Sequence, residues 1–90
     1  KIFIGNNVAI TAGTRILTHY LDPSRSGRMF RIGEVHIEDD VFIGVNVVIC
    51  NSVTIGKGAI VGAGSIVTKD ISPYQVWAGN PARYIKAREH

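Results

Sequence analysis

From Val35 to Ile71 the chain reads VHIEDDVFIGVNVVICNSVTIGKGAIVGAGSIVTKDI. Ile37, Ile43, Ile49, Ile55, Val61 and Val67 return at every sixth residue of it. Four residues after each comes a second small or branched residue: Val41, Val47, Val53, Ala59, Ser65 and Ile71. Gly44, Gly56 and Gly62 directly follow register positions. A helix places apolar residues about every 3.6 positions and an ordinary strand every second one, so neither produces a strict period of six. A hexapeptide repeat does, and it is the signature of a parallel β-helix.

Upstream, the same register runs through Ile4, Ile10 and Ile16, with Val8 and Thr14 in the secondary positions. Each hexad supplies a short extended stretch and a corner, a side of at most about 20 Å. Three hexads close one triangular coil, so residues eighteen apart stack: Ile37 over Ile55, Ile43 over Val61, Ile49 over Val67. Rungs are then about 4.8 Å apart, each strand paired to the ones above and below. The register isoleucines point inward and fill a narrow prism. The glycines take corners, where φ > 0 or close backbone approach is needed. An antiparallel sandwich of short strands has no reason to hold one period across its turns. The expected fold is all-β: a parallel β-helix of about three coils over residues 1–71, with an insertion at 19–36 and a C-terminal extension over 72–90.

Ninety residues fit one domain. The formal charge of +3 comes mostly from Arg25, Arg28, Arg31, Arg83, Lys86 and Arg88, with no dense basic run and no aromatics interleaved, which argues against nucleic acid. No apolar stretch is long enough to span a bilayer, and the start does not resemble a signal peptide. A single cysteine, Cys50, rules out an internal disulfide framework and fits a reducing, cytoplasmic setting. Ile4 enters the repeat with no capping element before it, although a solenoid needs its open end covered. The expectation is a C-terminal piece of a longer chain, or a chain whose beginning was removed.

Between Ile16 and Val35 the period breaks with LTHYLDPSRSGRMFRIGE. The break falls after the third side of a coil, and the chain resumes on the first side of the next. The insertion is therefore an excursion from a corner that leaves the prism intact. Solenoid insertions of this kind often form the binding face. A loop of that length without an element of its own is usually functional or disordered.

These residues resemble a family. Thr18-His19-Tyr20-Leu21-Asp22-Pro23 is similar to the histidine-bearing loop of the maltose and galactoside O-acetyltransferases and of the related acetyltransferases of surface-polysaccharide synthesis. Val41-Phe42-Ile43-Gly44, the run from Ile60 to Ile71, and Ala78-Gly79-Asn80-Pro81-Ala82-Arg83-Tyr84-Ile85 are close to that family's most characteristic stretches. The resemblance covers practically the whole chain. It implies a left-handed β-helix, a homotrimer with active sites between adjacent subunits, and transfer of an acetyl group from acetyl-CoA to a hydroxyl of a sugar or polysaccharide precursor. Handedness and trimerisation come from the resemblance; the period alone gives neither.

A hydroxyl is a poor nucleophile at neutral pH and needs a base as it attacks the thioester. His19, at the root of the only long excursion, is the candidate general base. Its bland alternative is an exposed loop histidine making one hydrogen bond. Asp22 is a candidate for orienting the imidazole or binding the acceptor, although Asp-Pro also starts turns. By resemblance the pantetheine arm of CoA bonds to backbone near Val45 and Ala63, and Thr68, Lys69 and Arg83 lie at its nucleotide and phosphate end. Phe42 stands where the family often has tryptophan, beside the acceptor or the pantetheine. Backbone amides at the glycine corners are candidate oxyanion donors.

Other residues read more plainly. Trp77 packs against a neighbour or, as the alternative, walls the cofactor cleft; His36 points outward to the surface, and Cys50 is a small apolar filler with no base beside it to make it a nucleophile. Asp39 and Asp40 are corner turn formers. The segment from Ser72 to Pro81 is expected to leave the prism, and Tyr84 to Glu89 to begin a short helix docked on the prism or on a partner. Three other functions are weighed. A γ-type carbonic anhydrase needs three histidines on zinc, two of them close in sequence, and His19, His36 and His90 contain no such pair, so no metal is expected. An ice-binding solenoid needs threonine ladders that Thr11, Thr14, Thr18, Thr54 and Thr68 do not form, and an inactive scaffold would be expected to lose His19. Within the enzymes, a serine or amino-sugar N-acetyltransferase is the alternative.

Overall fold

The computed structural model describes residues 1–17, 19–21, 30–50 and 52–89, with 19–21 and 30–32 described by their backbone. Strands β1 (Ile2–Ile4), β2 (Ala9–Ile10) and β3 (Arg15–Ile16) make the first rung. β4 (His19–Leu21) and β5 (Phe30–Ile32) make the excursion. β6 (Val35–Ile37), β7 (Phe42–Ile43) and β8 (Val48–Ile49) make the second rung. β9 (Thr54–Ile55), β10 (Ile60–Val61) and β11 (Ile66–Val67) make the third. β12 (Gln75–Gly79) and β13 (Ala82–Ala87) follow.

The strands sort into three sides, in the orders β1-β6-β9, β2-β7-β10-β12-β13 and β3-β8-β11. Pairing between rungs is parallel, and the expected columns hold: Ile37 on Ile55, Ile43 on Val61, Ile49 on Val67. The first rung joins the second at a separation of 33 residues, as in Ile4 with Ile37, Ile10 with Ile43 and Ile16 with Ile49. That is the eighteen of one coil plus fifteen, so the excursion adds residues without shifting a single inward position.

The inward columns form the core. Ile37, Ile43, Ile49, Ile55, Val61 and Val67 are all 0–1% exposed, and Val41, Val47, Val53 and Ala59 fill the gaps between them. Burying each isoleucine contributes about 2–3 kcal/mol over leaving it in water. The first rung has a neighbour on one side only, and Ile4 stays 51% exposed in the column where Ile37 is 1% exposed. Trp77 packs partly buried against the core of its own prism.

Two kinds of corner residue divide the work expected of glycine. One corner stacks Asn7, Asp40, Gly58 and Tyr74, all with φ between 58° and 71°. Asn7 Nδ2 donates to Asp40 Oδ1 at 2.9 Å, and Asp39 Oδ1 accepts from the Asn6 amide at 2.7 Å, so the aspartates do serve as turn formers. Gly44 is needed for a different reason. A Cβ on it would lie 2.8 Å from the Ala63 amide nitrogen on the next rung, closer than a real side chain tolerates.

Four expectations are corrected. The excursion carries an element of its own: β4 and β5 pair antiparallel, His19 with Ile32, Tyr20 with Arg31 and Leu21 with Phe30. It ends before 36, because Val35 and His36 already pair with Ile2 and Phe3. The chain also stays on the prism after Ser72. β12 lies parallel on β10, Ile60 beside Val76 and Val61 beside Trp77. Instead of a helix from Tyr84 to Glu89, the chain turns through Gly79 to Pro81 and returns as β13, antiparallel to β12. Ala, Lys, Arg and Glu favour a helix locally. The unpaired edge of β12 offers a full ladder of backbone partners, and that tertiary pairing prevails.

Candidate active site

The two ends of the excursion are tied to the prism by backbone bonds. The Leu17 amide donates to Ile49 O at 2.8 Å, and the Val35 amide donates to Lys1 O at 3.0 Å. His19 begins β4 two residues past Leu17, so it stands at the corner between the third and first sides. Thr68 and Lys69 lie exposed on that same corner, two rungs further along the axis. Asp22 lies outside the described residues, as does Thr18.

Val45 and Ala63 occupy the next corner, between the second and third sides, stacked one above the other and both exposed. The Gly64 amide donates to Val45 O at 2.8 Å and locks the two turns together. Among the described residues, neither the Val45 nor the Ala63 amide finds a partner. The same turn position is Ala12, Val45 and Ala63 on this corner but Asn6, Asp39 and Lys57 on the corner before it. Among the described residues, this corner stacks its amides beside small apolar side chains at that position. An extended, amide-bearing ligand laid along this corner would meet donors rather than side chains.

Phe42 projects from the second side, 44% exposed, in the outward column Ala9, Phe42, Ile60 and Val76. Arg83 on β13 pairs with Ala78, whose Cβ sits where a side chain on Gly62 would be, so Arg83 belongs to the Ala63 corner. The candidates therefore fall into two groups. Val45, Ala63, Phe42 and Arg83 gather at one corner; His19, Thr68 and Lys69 gather at the next. The third side separates them, showing Arg15, Val48 and Ile66 outward.

One residue that supports this site was not singled out from the sequence. Ser65 is fully buried in the inward column that it shares with Thr14 and Val47. Its Oγ donates to Gly62 O at 2.6 Å and accepts from the Gly79 amide at 3.1 Å. It thereby fixes both the Gly62–Gly64 turn and the turn that leads into β13. The signal was available: a hydroxyl at an inward position has to be satisfied internally, and Thr14 in the same column likewise donates to Gly44 O at 3.2 Å.

With this geometry, similarity to known proteins is informative. The family model "Hexapeptide repeat of succinyl-transferase" matches residues 34–69. A maltose O-acetyltransferase from Clostridium difficile superposes with a TM-score of 0.92 at 43% identity, over 100% of this chain and 50% of that one. The chain belongs to the hexapeptide-repeat acetyltransferase family. The prism is accordingly a left-handed parallel β-helix. A Vibrio cholerae hexapeptide-repeat acetyltransferase solved with acetyl-CoA gives a TM-score of 0.92 at 36% identity, over 99% and 50% of the two chains. A 2,3,4,5-tetrahydropyridine-2,6-dicarboxylate N-acetyltransferase of Staphylococcus aureus is 46% identical over 82 residues, 91% of this chain and 31% of its own. The chain thus spans a third to a half of the length of these hexapeptide-repeat acetyltransferases, which include both O- and N-acetylating members. No described helix is long and apolar enough to cross a membrane.

Proposed function

We propose that this chain is the acetyl-CoA-binding and catalytic portion of an acetyltransferase, and that its acceptor is a hydroxyl of a sugar or polysaccharide precursor. The observation that carries the proposal is the one excursion of the prism, a hairpin whose first strand opens with His19 at a corner. In the proposed reaction His19 takes the hydroxyl proton as the oxygen attacks the thioester carbonyl. The tetrahedral oxyanion collapses to the acetyl ester, the carbon–sulfur bond breaks, and the CoA thiolate leaves with the proton that His19 held. The open amides of Val45 and Ala63 would receive the pantetheine arm, with Thr68, Lys69 and Arg83 toward the phosphates.

A side of the prism is up to about 20 Å long, so one thioester does not reach the Val45 corner and His19 on the same chain with ease. Two copies laid side by side would bring one chain's hairpin to the other's Val45 corner. This supports a homotrimer with shared active sites, in a reducing, cytoplasmic compartment compatible with the single Cys50 thiol. The 46% identity to an N-acetyltransferase favours amine acetylation as the second reading.

The test is CoA-thiol release by the full-length protein from acetyl-CoA, with a panel of sugars, serine and amino-sugar nucleotides. His19→Ala should lower kcat by about 10² to 10⁴, the range for a lost general base. An unchanged rate removes His19 from the mechanism. A marked preference for amine acceptors over every hydroxyl replaces the first reading with the second.

A further inference from the structure

The return limb of the hairpin is held by a side-chain clamp on the first side of the prism. Phe3 on β1 and His36 on β6 are register partners that point outward together. Their rings stack with centroids 4.6 Å apart and planes within 11°. His36 Nε2 also lies 3.2 Å from Glu34 Oε1, where the carboxylate accepts. Glu34 is only two residues beyond Ile32, the β5 residue paired with His19. A short path therefore runs from the prism wall to the candidate base: Phe3, His36, Glu34, buried Gly33, Ile32, His19.

We propose that His36 is a positioning residue for His19. It touches neither acceptor nor CoA; it stiffens the strand against which β4 lies. The outgoing limb has no equivalent device among the described residues beyond the Leu17–Ile49 backbone bond. Two weak contacts act on one ring, and both must be made for the limb to be held at a fixed angle. Stacking on Phe3 sets the ring plane, and the Glu34 contact brings the limb to it. Glu34 and His36 are partly exposed, with side chains 55% and 39% accessible, so the clamp is a bias on the hairpin and not a support of the fold. The remaining charged or polar groups along that side are Lys1, whose carbonyl accepts from the Val35 amide, and Glu38, Ser52, Thr54 and Asp70. Asp70 is engaged by the Thr54 amide at 2.8 Å, and the imidazole's contact is the one with Glu34 at 3.2 Å.

The inference rests on His19 being the base, so the experiment separates the two ideas. In the full-length protein, amide hydrogen exchange is followed in peptides covering 17–36 and 41–50, together with kcat and KM for acetyl-CoA. His36→Ala should speed exchange in 17–36 by about three- to ten-fold, the factor expected from losing one ring stack and one exposed hydrogen bond. Exchange in 41–50 should not change. kcat should fall by a similar factor while KM for acetyl-CoA stays constant, because the Val45 corner is untouched. His36→Phe keeps the ring on Phe3 and should recover part of both losses; Glu34→Ala, which removes the acceptor, should show the loss without disturbing the stack. Unaltered exchange in 17–36, or an equal rise in 41–50, would overturn the clamp. A local rise in exchange with unaltered kcat would also overturn it. If His19→Ala proves fully active, the mechanism fails while the exchange result still reports on the clamp as a structural contact.

Discussion

At Ser65 a single hydroxyl joins two turns that belong to different parts of the chain. It bonds Gly62 O and the Gly79 amide from a fully buried inward position. Replacement by alanine leaves both backbone groups unsatisfied, and each such loss costs about 1–3 kcal/mol. Ser65→Ala should therefore lower the urea-unfolding free energy by about 2 kcal/mol or more and weaken acetyl-CoA binding at the adjoining Ala63 turn. A loss of only a few tenths would mean that another group takes over its bonds. Single residues were also where the sequence misled most. The glycines after register positions announce corners, yet the left-handed backbone of one corner falls on Asn7, Asp40 and Tyr74 as well as Gly58. Composition does not distinguish a glycine needed for φ from one needed for proximity. Only the neighbouring rung, 2.8 Å away at Gly44, reveals which it is. His36 was legible as outward-facing, but its partner Phe3 is 33 residues distant and the pairing depends on the length of the insertion.

Among the elements, the short prism strands were readable because one period of six fixes spacing, register and facing at once. Strands outside that period were not. β4 and β5 are joined by eight residues with two serines, two arginines, one proline and one glycine, and nothing in their local pattern states that they pair. β13 contains good helix formers, and its strand state depends on the bare edge of β12. In NMR of the folded protein, β13 should give cross-strand contacts between Trp77 and Tyr84 and between Ala78 and Arg83, with extended-chain shifts over 82–87. Contacts between residues three apart over 84–89 would instead indicate the helix. The candidate site was legible in part for the same reason. Val45, Ala63, Thr68 and Lys69 sit on repeat positions and could be placed on corners, whereas Asp22 and His19 sit on the stretch that leaves the repeat.

Taken as a whole molecule, the prism is a stack of near-identical rungs with one interruption, and that interruption leaves from a corner and rejoins the next rung in step. Removing the fifteen residues 18–32 would join Leu17 to Gly33, and Ile37 would then fall six places after Ile16. The shortened chain would read as unbroken hexads, with the chemistry cut away and the scaffold whole. It should melt cooperatively within a few degrees of the parent and give the same β-rich circular dichroism, while acetyl transfer vanishes. An unfolded product would show that the hairpin is needed to hold the rungs together. Tool and handle are thus encoded separately, and a different hairpin of any length, grafted between the same two residues, could give this handle a new trade.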